Sequence, residues 1–260
     1  MNKREMSVAG SFYPKSCSEI NQFIDTCNTS VEEHSRKKVK AVISPHAGYI
    51  YSGFSANSAF NRMDTSKIKR VILIGPSHRV HIKGASVCLH DSYASPCGDL
   101  PIDLEYSKYL IEKYEGLSFL PLAHHEHSTE TQVPFIRYYC KDVELVEIVY
   151  GDIEHAELIP LIKKAFKNEE NLVVVSTDLS HFHSLEEAKK YDNICLKAVK
   201  DMNPLELESG CEACGITGLK AVLSAAKQLD MQSEVVDYRT SYDASSDANR
   251  VVGYMSALIF

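Results

Sequence analysis

The stretch Arg70-Val-Ile-Leu-Ile-Gly-Pro-Ser-His78 decides the fold. Val71 to Ile74 run without a polar break, which reads as a strand buried on both faces, as in a parallel sheet covered by helices. Gly75 and Pro76 stop the run, and His78 stands just beyond it. Two other segments repeat the layout: Val39-Lys-Ala-Val-Ile-Ser44 precedes Pro45 and His46, and Leu172-Val-Val-Val-Ser-Thr177 precedes Asp178 and His181. In an open parallel α/β sheet, ligands bind at the carboxyl ends of the strands, where the loops converge. Three unrelated loop histidines are the plain alternative, and the repetition favours one shared site.

Working outward, further strands are expected near 85–90, 143–149, 234–240 and 250–259. Helices are expected near 16–27, with Ser16 or Ser18 as cap, and near 54–62, 103–115, 129–140, 154–167, 184–202 and 216–229. Thr129 with Gln132 and Ser184 with Glu187 fit capping boxes. Residues 30–40 read as a polar connector whose basic run is a solvated loop. Strands alternate with helices throughout, with no internal repeat and no linker long enough to divide the chain. The expectation is one α/β domain over residues 1–260, a central, mostly parallel mixed sheet covered by helices on both faces.

The totals bound the function. A chain of 260 residues with 44% hydrophobic and 24% charged content has the composition of an ordinary globule. A formal charge of −7 argues against a broad nucleic-acid surface. No stretch approaches the roughly 18 apolar residues of a membrane span, and the amino terminus leads into no apolar run. The eight cysteines are scattered, so they read as reduced thiols of a cytoplasmic protein.

Histidines at strand ends and a cysteine before a helix suit a borderline-to-soft metal such as iron, copper or zinc. His46 and His78 form the best pair, each following a buried strand and a proline. Cys214 is the best third ligand, because the N-terminus of the following helix favours thiolate over thiol. Cys211-Glu-Ala-Cys214 also invites a redox-pair reading, which the late position and nearby Glu206 and Glu208 disfavour; Cys211 then reads as a buried small residue. Asp178 and His181 are candidates for acid–base work, since a carboxylate beside an imidazole sets its tautomer. In His124-His-Glu-His127, the last histidine comes closest to a helix start and can point at a bound anion or oxygen, or else the run is simply solvated. His-Glu-x-x-His, glycine-rich phosphate loops and the G-x-S-x-G elbow are all missing, so zinc-protease, nucleotide and serine-hydrolase readings have no support.

Taken together and in order, Pro45-His-Ala-Gly-Tyr49, Gly75-Pro-Ser-His78, Glu126-His-Ser-Thr-Glu130, Ser176-Thr-Asp-Leu-Ser-His181 and Cys214-Gly215 resemble the Memo family. The match runs from Ala9-Gly-Ser-Phe-Tyr13 to Val252-Gly-Tyr-Met-Ser256. The resemblance implies a single α/β domain similar to class III extradiol ring-cleaving dioxygenases, which hold non-haem Fe(II) with two histidines and a carboxylate. It also implies a pocket of two histidines and a cysteine, carried over to His46, His78 and Cys214, with His127, Asp178 and His181 as further pocket residues. Prokaryotic members of the family are often encoded beside an AMMECR-type protein and a radical SAM protein. Eukaryotic members are described as signalling adaptors that bind iron or copper. A thiolate in place of the dioxygenase carboxylate changes ligand softness, so the resemblance carries the fold further than the reaction.

Two functions follow. The first is a redox enzyme dependent on non-haem Fe(II), with copper or zinc as alternatives, in which His127, Asp178 and His181 handle protons. The second is a binding or adaptor protein that uses the same histidine-lined pocket for a peptide or small anionic ligand. Metal-assisted hydrolysis would use the same donors to activate water.

Overall fold

The computed structural model describes residues 2–30 and 35–260. Arg70–Pro76 is an interior strand of a nine-stranded sheet. Ile72 and Ile74 pack into the core on one face, while Val71 and Leu73 pack into the core on the other. A strand buried on both sides has no polar face to present, which is why its sequence does not alternate.

Asn171–Ser176 and Glu144–Tyr150 flank this strand in parallel, and Ala41–Ser44 runs parallel beyond Asn171–Ser176. Antiparallel strands extend the sheet at both ends. Val251–Ile259 pairs with Ala41–Ser44 and carries both Ser233–Thr240 and His181–His183. On the other side Ala85–Val87 joins Glu144–Tyr150, with Leu117–Ser118 outermost. The sheet is therefore mixed with a parallel centre, as the alternation of strands and helices predicts.

Helices His155–Phe166, Leu185–Lys200 and Ile216–Lys227 cover one face, burying Leu158, Leu161, Val199, Leu219 and Val222. Helices Cys17–Thr29, Phe54–Asn61 and Val133–Tyr139 cover the other through Ile20, Ile24, Phe60 and Phe135. Ser16 caps the first of these by accepting from the Glu19 N–H, and Ser184 with Glu187 forms the expected capping box. No described helix is long and apolar enough to cross a membrane.

Several expectations need correction. Thr129 and Gln132 do not cap a helix from 129 to 140. A short helix, His127–Glu130, is capped by the Glu126 carboxylate, and a separate helix spans Val133–Tyr139. Thr129 donates instead to Glu147, and Gln132 to the Pro45 carbonyl and Ser176 Oγ. The strand near 85–90 stops at Val87. Four of the eight cysteines are not thiols: Cys17 pairs with Cys97 and Cys195 with Cys211, partners brought together by tertiary packing. The connector at 30–40 falls partly on residues 31–34, outside the described residues. Lys37 within it forms an ion pair with Glu234.

A second, three-stranded sheet of Lys3–Arg4, Ser92–Tyr93 and Leu100–Pro101 ties down the amino-terminal segment. Arg4 is buried there against Glu130, and one guanidinium nitrogen also donates to the Glu126 carbonyl at 2.9 Å. The amino-terminal strand thus braces the helix that begins at His127.

Candidate metal centre

Three parallel strands end at one edge of the sheet and deliver the expected residues together. His46 follows Ala41–Ser44 after Pro45, His78 follows Arg70–Pro76 after Ser77, and Asp178 follows Asn171–Ser176 after Thr177. Cys214 approaches from the loop before Ile216–Lys227. Gly215 allows that approach, because a Cβ there would stand 2.6 Å from Thr177 Cβ and 2.8 Å from the Ser176 carbonyl oxygen. One ligand atom from each of His46, His78 and Cys214 lies within 4.8 Å of the others.

Hydrogen bonds fix which nitrogen each imidazole presents. Ser176 Oγ donates its only proton to the Ser128 carbonyl, so it must accept at 2.9 Å from His46 Nδ1–H. The Nε2 lone pair of His46 then faces Cys214 Sγ at 3.3 Å. His78 donates to Glu126 from its backbone N–H at 2.6 Å and from Nδ1 at 3.2 Å, which leaves its Nε2 free as well. His127 Nδ1 lies 2.7 Å from the same carboxylate, and its ring centre is 4.6 Å from that of His78 and 5.5 Å from that of His46.

Asp178 joins the strand ends. Its Oδ1 accepts from the His46 backbone N–H at 2.7 Å, its own N–H points at Cys214 Sγ at 3.3 Å, and its carbonyl accepts from the Cys214 N–H at 3.2 Å. Its second oxygen is 4.0 Å from His46 Nε2. His181 is placed differently. It begins a short strand at a register shift, Phe182 beside it has a φ of 65°, and its ring packs on Phe182. Among the described residues, no hydrogen bond or ring contact joins His181 to the other candidates.

Burial sets the electrostatics. It lowers the His46 imidazole to about 4, against the opposing pull of Asp178, so the ring is neutral across the physiological range. Glu126 is also buried, yet the donors from His127 and His78 hold its carboxyl well below the usual carboxylate range. Cys214 departs from expectation: burial, then the Asp178 carboxylate, pushes its thiol up to about 12. The following helix N-terminus does not outweigh these two effects, and a metal would have to displace that proton. A separate groove of about 650 Å³ lies near Arg70, Asp103, Tyr106 and Lys164, at the opposite end of the central strands. Its arginine is already paired with Asp103 and stacked on Tyr106.

The Memo-like protein family model matches residues 4–258. The chain belongs to the Memo-like family. A MEMO1 family protein of Aquifex aeolicus is 34% identical over 269 aligned positions, covering 99% of each chain. Another, of Methanococcoides burtonii, is 35% identical over 270, covering 98% of this chain and 99% of its own. Among solved structures, an uncharacterized Escherichia coli K12 protein superposes with a TM-score of 0.55 at 12% identity, over 85% of this chain and 100% of that one. That likeness concerns the fold alone.

Two parts of this Memo-like centre escaped the sequence reading. Glu126 and Ser176 each open a motif of the family resemblance, yet neither is given a role in the centre. A carboxylate flanked by His125 and His127 is the chemical signal that points to Glu126, beside its place in that motif. No chemical signal in the sequence gives Ser176 its role, which depends on a carbonyl contributed by Ser128.

Proposed function

We propose that the chain is a metal-dependent redox enzyme, with non-haem Fe(II) as its first candidate metal and copper or zinc as alternatives, held by His46, His78 and Cys214. One observation carries this reading: two imidazoles with their Nδ1 atoms already engaged converge on a cysteine sulfur within 4.8 Å. That donor set suits iron, copper or zinc far better than magnesium or calcium. Bound iron or copper would supply one-electron chemistry and open coordination positions for dioxygen or substrate, whereas zinc would supply only Lewis acidity and an activated water. The other groups belong to the chain. Asp178 orients His46 and offers a carboxylate oxygen for a proton, and His127 presents an imidazole held by Glu126. His181 is assigned no step. On this reading the substrate is a small molecule or peptide, and the functional link to a radical SAM protein and an AMMECR-type protein extends the same proposal, as does a cytoplasmic location.

The binding reading draws on a different feature. A π-helical turn, Tyr49–Gly53, follows His46 closely and leaves Ile50 75% exposed. Ile50 and the adjoining exposed Tyr51 would offer a peptide ligand an apolar contact close in sequence to His46.

Element analysis of protein purified without added metal or a histidine tag separates the two, together with oxygen uptake in the presence of a reductant. One equivalent of iron or copper, lost in His46→Ala and His78→Ala and accompanied by oxygen uptake, supports the enzyme. Wild-type metal content in either variant removes that residue as a ligand, and metal without any redox activity favours the binding protein.

A further inference from the structure

A second group of ligand-type side chains lies apart from the first, on strands nearer the sheet's other end. Cys88 and His90 follow Ala85–Val87, His124 ends the turn Pro121–His124, and Glu147 lies within Glu144–Tyr150. Cys88, His124 and Glu147 are at most 1% exposed, and His90 is 9% exposed. One ligand atom from each of Cys88, His124 and Glu147 lies within 4.8 Å of the others, and His90 Nδ1 is 3.3 Å from Cys88 Sγ.

The hydrogen bonds place one exchangeable proton at the centre of this group. Ser86 Oγ accepts from the Leu120 N–H at 2.8 Å and has one proton for two acceptors, His124 Nε2 at 2.8 Å and the Leu120 carbonyl at 3.3 Å, so the shorter contact takes it. The other ring nitrogen, Nδ1, then faces Glu147 Oε2 at 2.7 Å. A lone pair cannot face a carboxylate at that distance, so a positive centre must lie between them, either a proton or a metal cation. Glu147's other oxygen accepts from Thr129. Arg4, the nearby guanidinium, is committed to Glu130 and the Glu126 carbonyl.

We infer that Cys88, His90, His124 and Glu147 form a closed, structural binding site for a divalent borderline metal such as zinc. One thiolate, one carboxylate and two neutral imidazoles carry two negative charges, which a divalent ion cancels, and a buried site requires that balance. Cys88, His124 and Glu147 already cluster, and His90, in contact with Cys88, moves toward the other two to complete the four ligands of a structural zinc site. From metal–ligand bonds of about 2.0–2.3 Å, neighbouring ligand atoms in such a site lie about 3.3–3.6 Å apart. The Cys88–His90 contact already has that spacing, while His124 and Glu147 must part slightly as the ion replaces the proton. Binding releases the Cys88 thiol proton, while the His124 ring proton moves from Nδ1 to Nε2 and the Ser86 proton turns to the Leu120 carbonyl, with no change of oxidation state. Thr129, which holds Glu147, is in the same short helix as His127, so this second site buttresses the first from behind.

The test uses the double variant His46→Ala/Cys214→Ser, which removes the first site, with Co(II) or Zn(II) alone as the probe. Folding is checked by circular dichroism. The expected result is one equivalent of metal retained through gel filtration, a near-ultraviolet thiolate-to-Co(II) band, and a higher Tm with zinc. Adding Cys88→Ala should abolish the band and lower affinity at least about tenfold, in line with the loss of a metal-site residue. His90→Gln, at the wettest of the four positions, supplies the second reading if Cys88→Ala fails to fold, and should weaken binding similarly. No retained metal in the double variant, a band that survives Cys88→Ala, or unchanged affinity in His90→Gln overturns the site and leaves a proton between His124 and Glu147.

Discussion

Glu126 grips His78 at two atoms, accepting from its backbone N–H at 2.6 Å and from ring Nδ1 at 3.2 Å. The same carboxylate takes the Nδ1 of His127 and caps the helix that His127 begins. One side chain therefore sets the tautomer of two imidazoles that arrive from different parts of the chain. Both rings contact Oε1 and the His78 backbone N–H contacts Oε2, so the N–H₂ group of Glu126→Gln must oppose either the two ring protons or that N–H. Metal affinity should fall about 10–100-fold, the usual cost of losing a partner behind a ligand. Circular dichroism should show the fold retained. Isothermal titration with unchanged affinity would remove Glu126 from this role.

Arg4 and Glu130 carry the clearest stability prediction. Both side chains are at most 1% exposed, and Glu130 also accepts from the Ser7 and Val8 N–H groups and the Tyr13 hydroxyl. Arg4→Met leaves that carboxylate buried without its cation, which should cost about 3–5 kcal/mol. Urea unfolding measures it. A loss under about 1 kcal/mol would mean that the N–H and hydroxyl donors alone balance the charge.

The sequence revealed the centre of the sheet because strands such as Val71–Ile74 and Leu172–Val175 are buried on both faces and so carry unbroken apolar runs. It singled out His46, His78 and Cys214, which the structure brings within 4.8 Å of one another, because each stands at the end of such an element or just before a helix. Strands of two or three residues, such as Leu117–Ser118 and His181–His183, are too short for any periodicity to register. The Glu126 cap was missed for a different reason. Its donors are His78, 48 residues away, and His127, and only tertiary structure brings them to one carboxylate. Disulfide partners 80 and 16 residues apart leave no trace in spacing either.

His46 gives the protein a pH dependence of known sign. Burial lowers its folded-state value to about 4, against about 6.5 in an unfolded chain. As pH falls below 6.5 the unfolded state takes up a proton that the folded state refuses, so stability is complete above 6.5 and is lost progressively toward 4. The slope for this one group is at most about 1.4 kcal/mol per pH unit. Chelator-treated protein should therefore unfold at lower denaturant concentration at pH 5 than at pH 7. His46→Gln should flatten that difference by up to one proton, and a variant as steep as wild type would show that His46 titrates normally.

Cys211 and Cys214 stand three positions apart, yet the structure gives them different partners. Cys211 is bonded to Cys195, whereas Cys214 faces His46. Denatured but unreduced protein should therefore show four reactive thiols, Cys27, Cys88, Cys140 and Cys214. Cys214→Ser should show three, lose metal affinity severely and keep its stability, because its sulfur closes no loop. Cys211→Ser should do the opposite. It opens a short loop, which should cost about 2–3 kcal/mol, and leaves the metal ligands in place. A redox pair of Cys211 with Cys214 would make the two variants lose metal equally and would leave Cys195 reactive in the unreduced chain. Thiol counting with metal titration on the same two variants decides between these pairings.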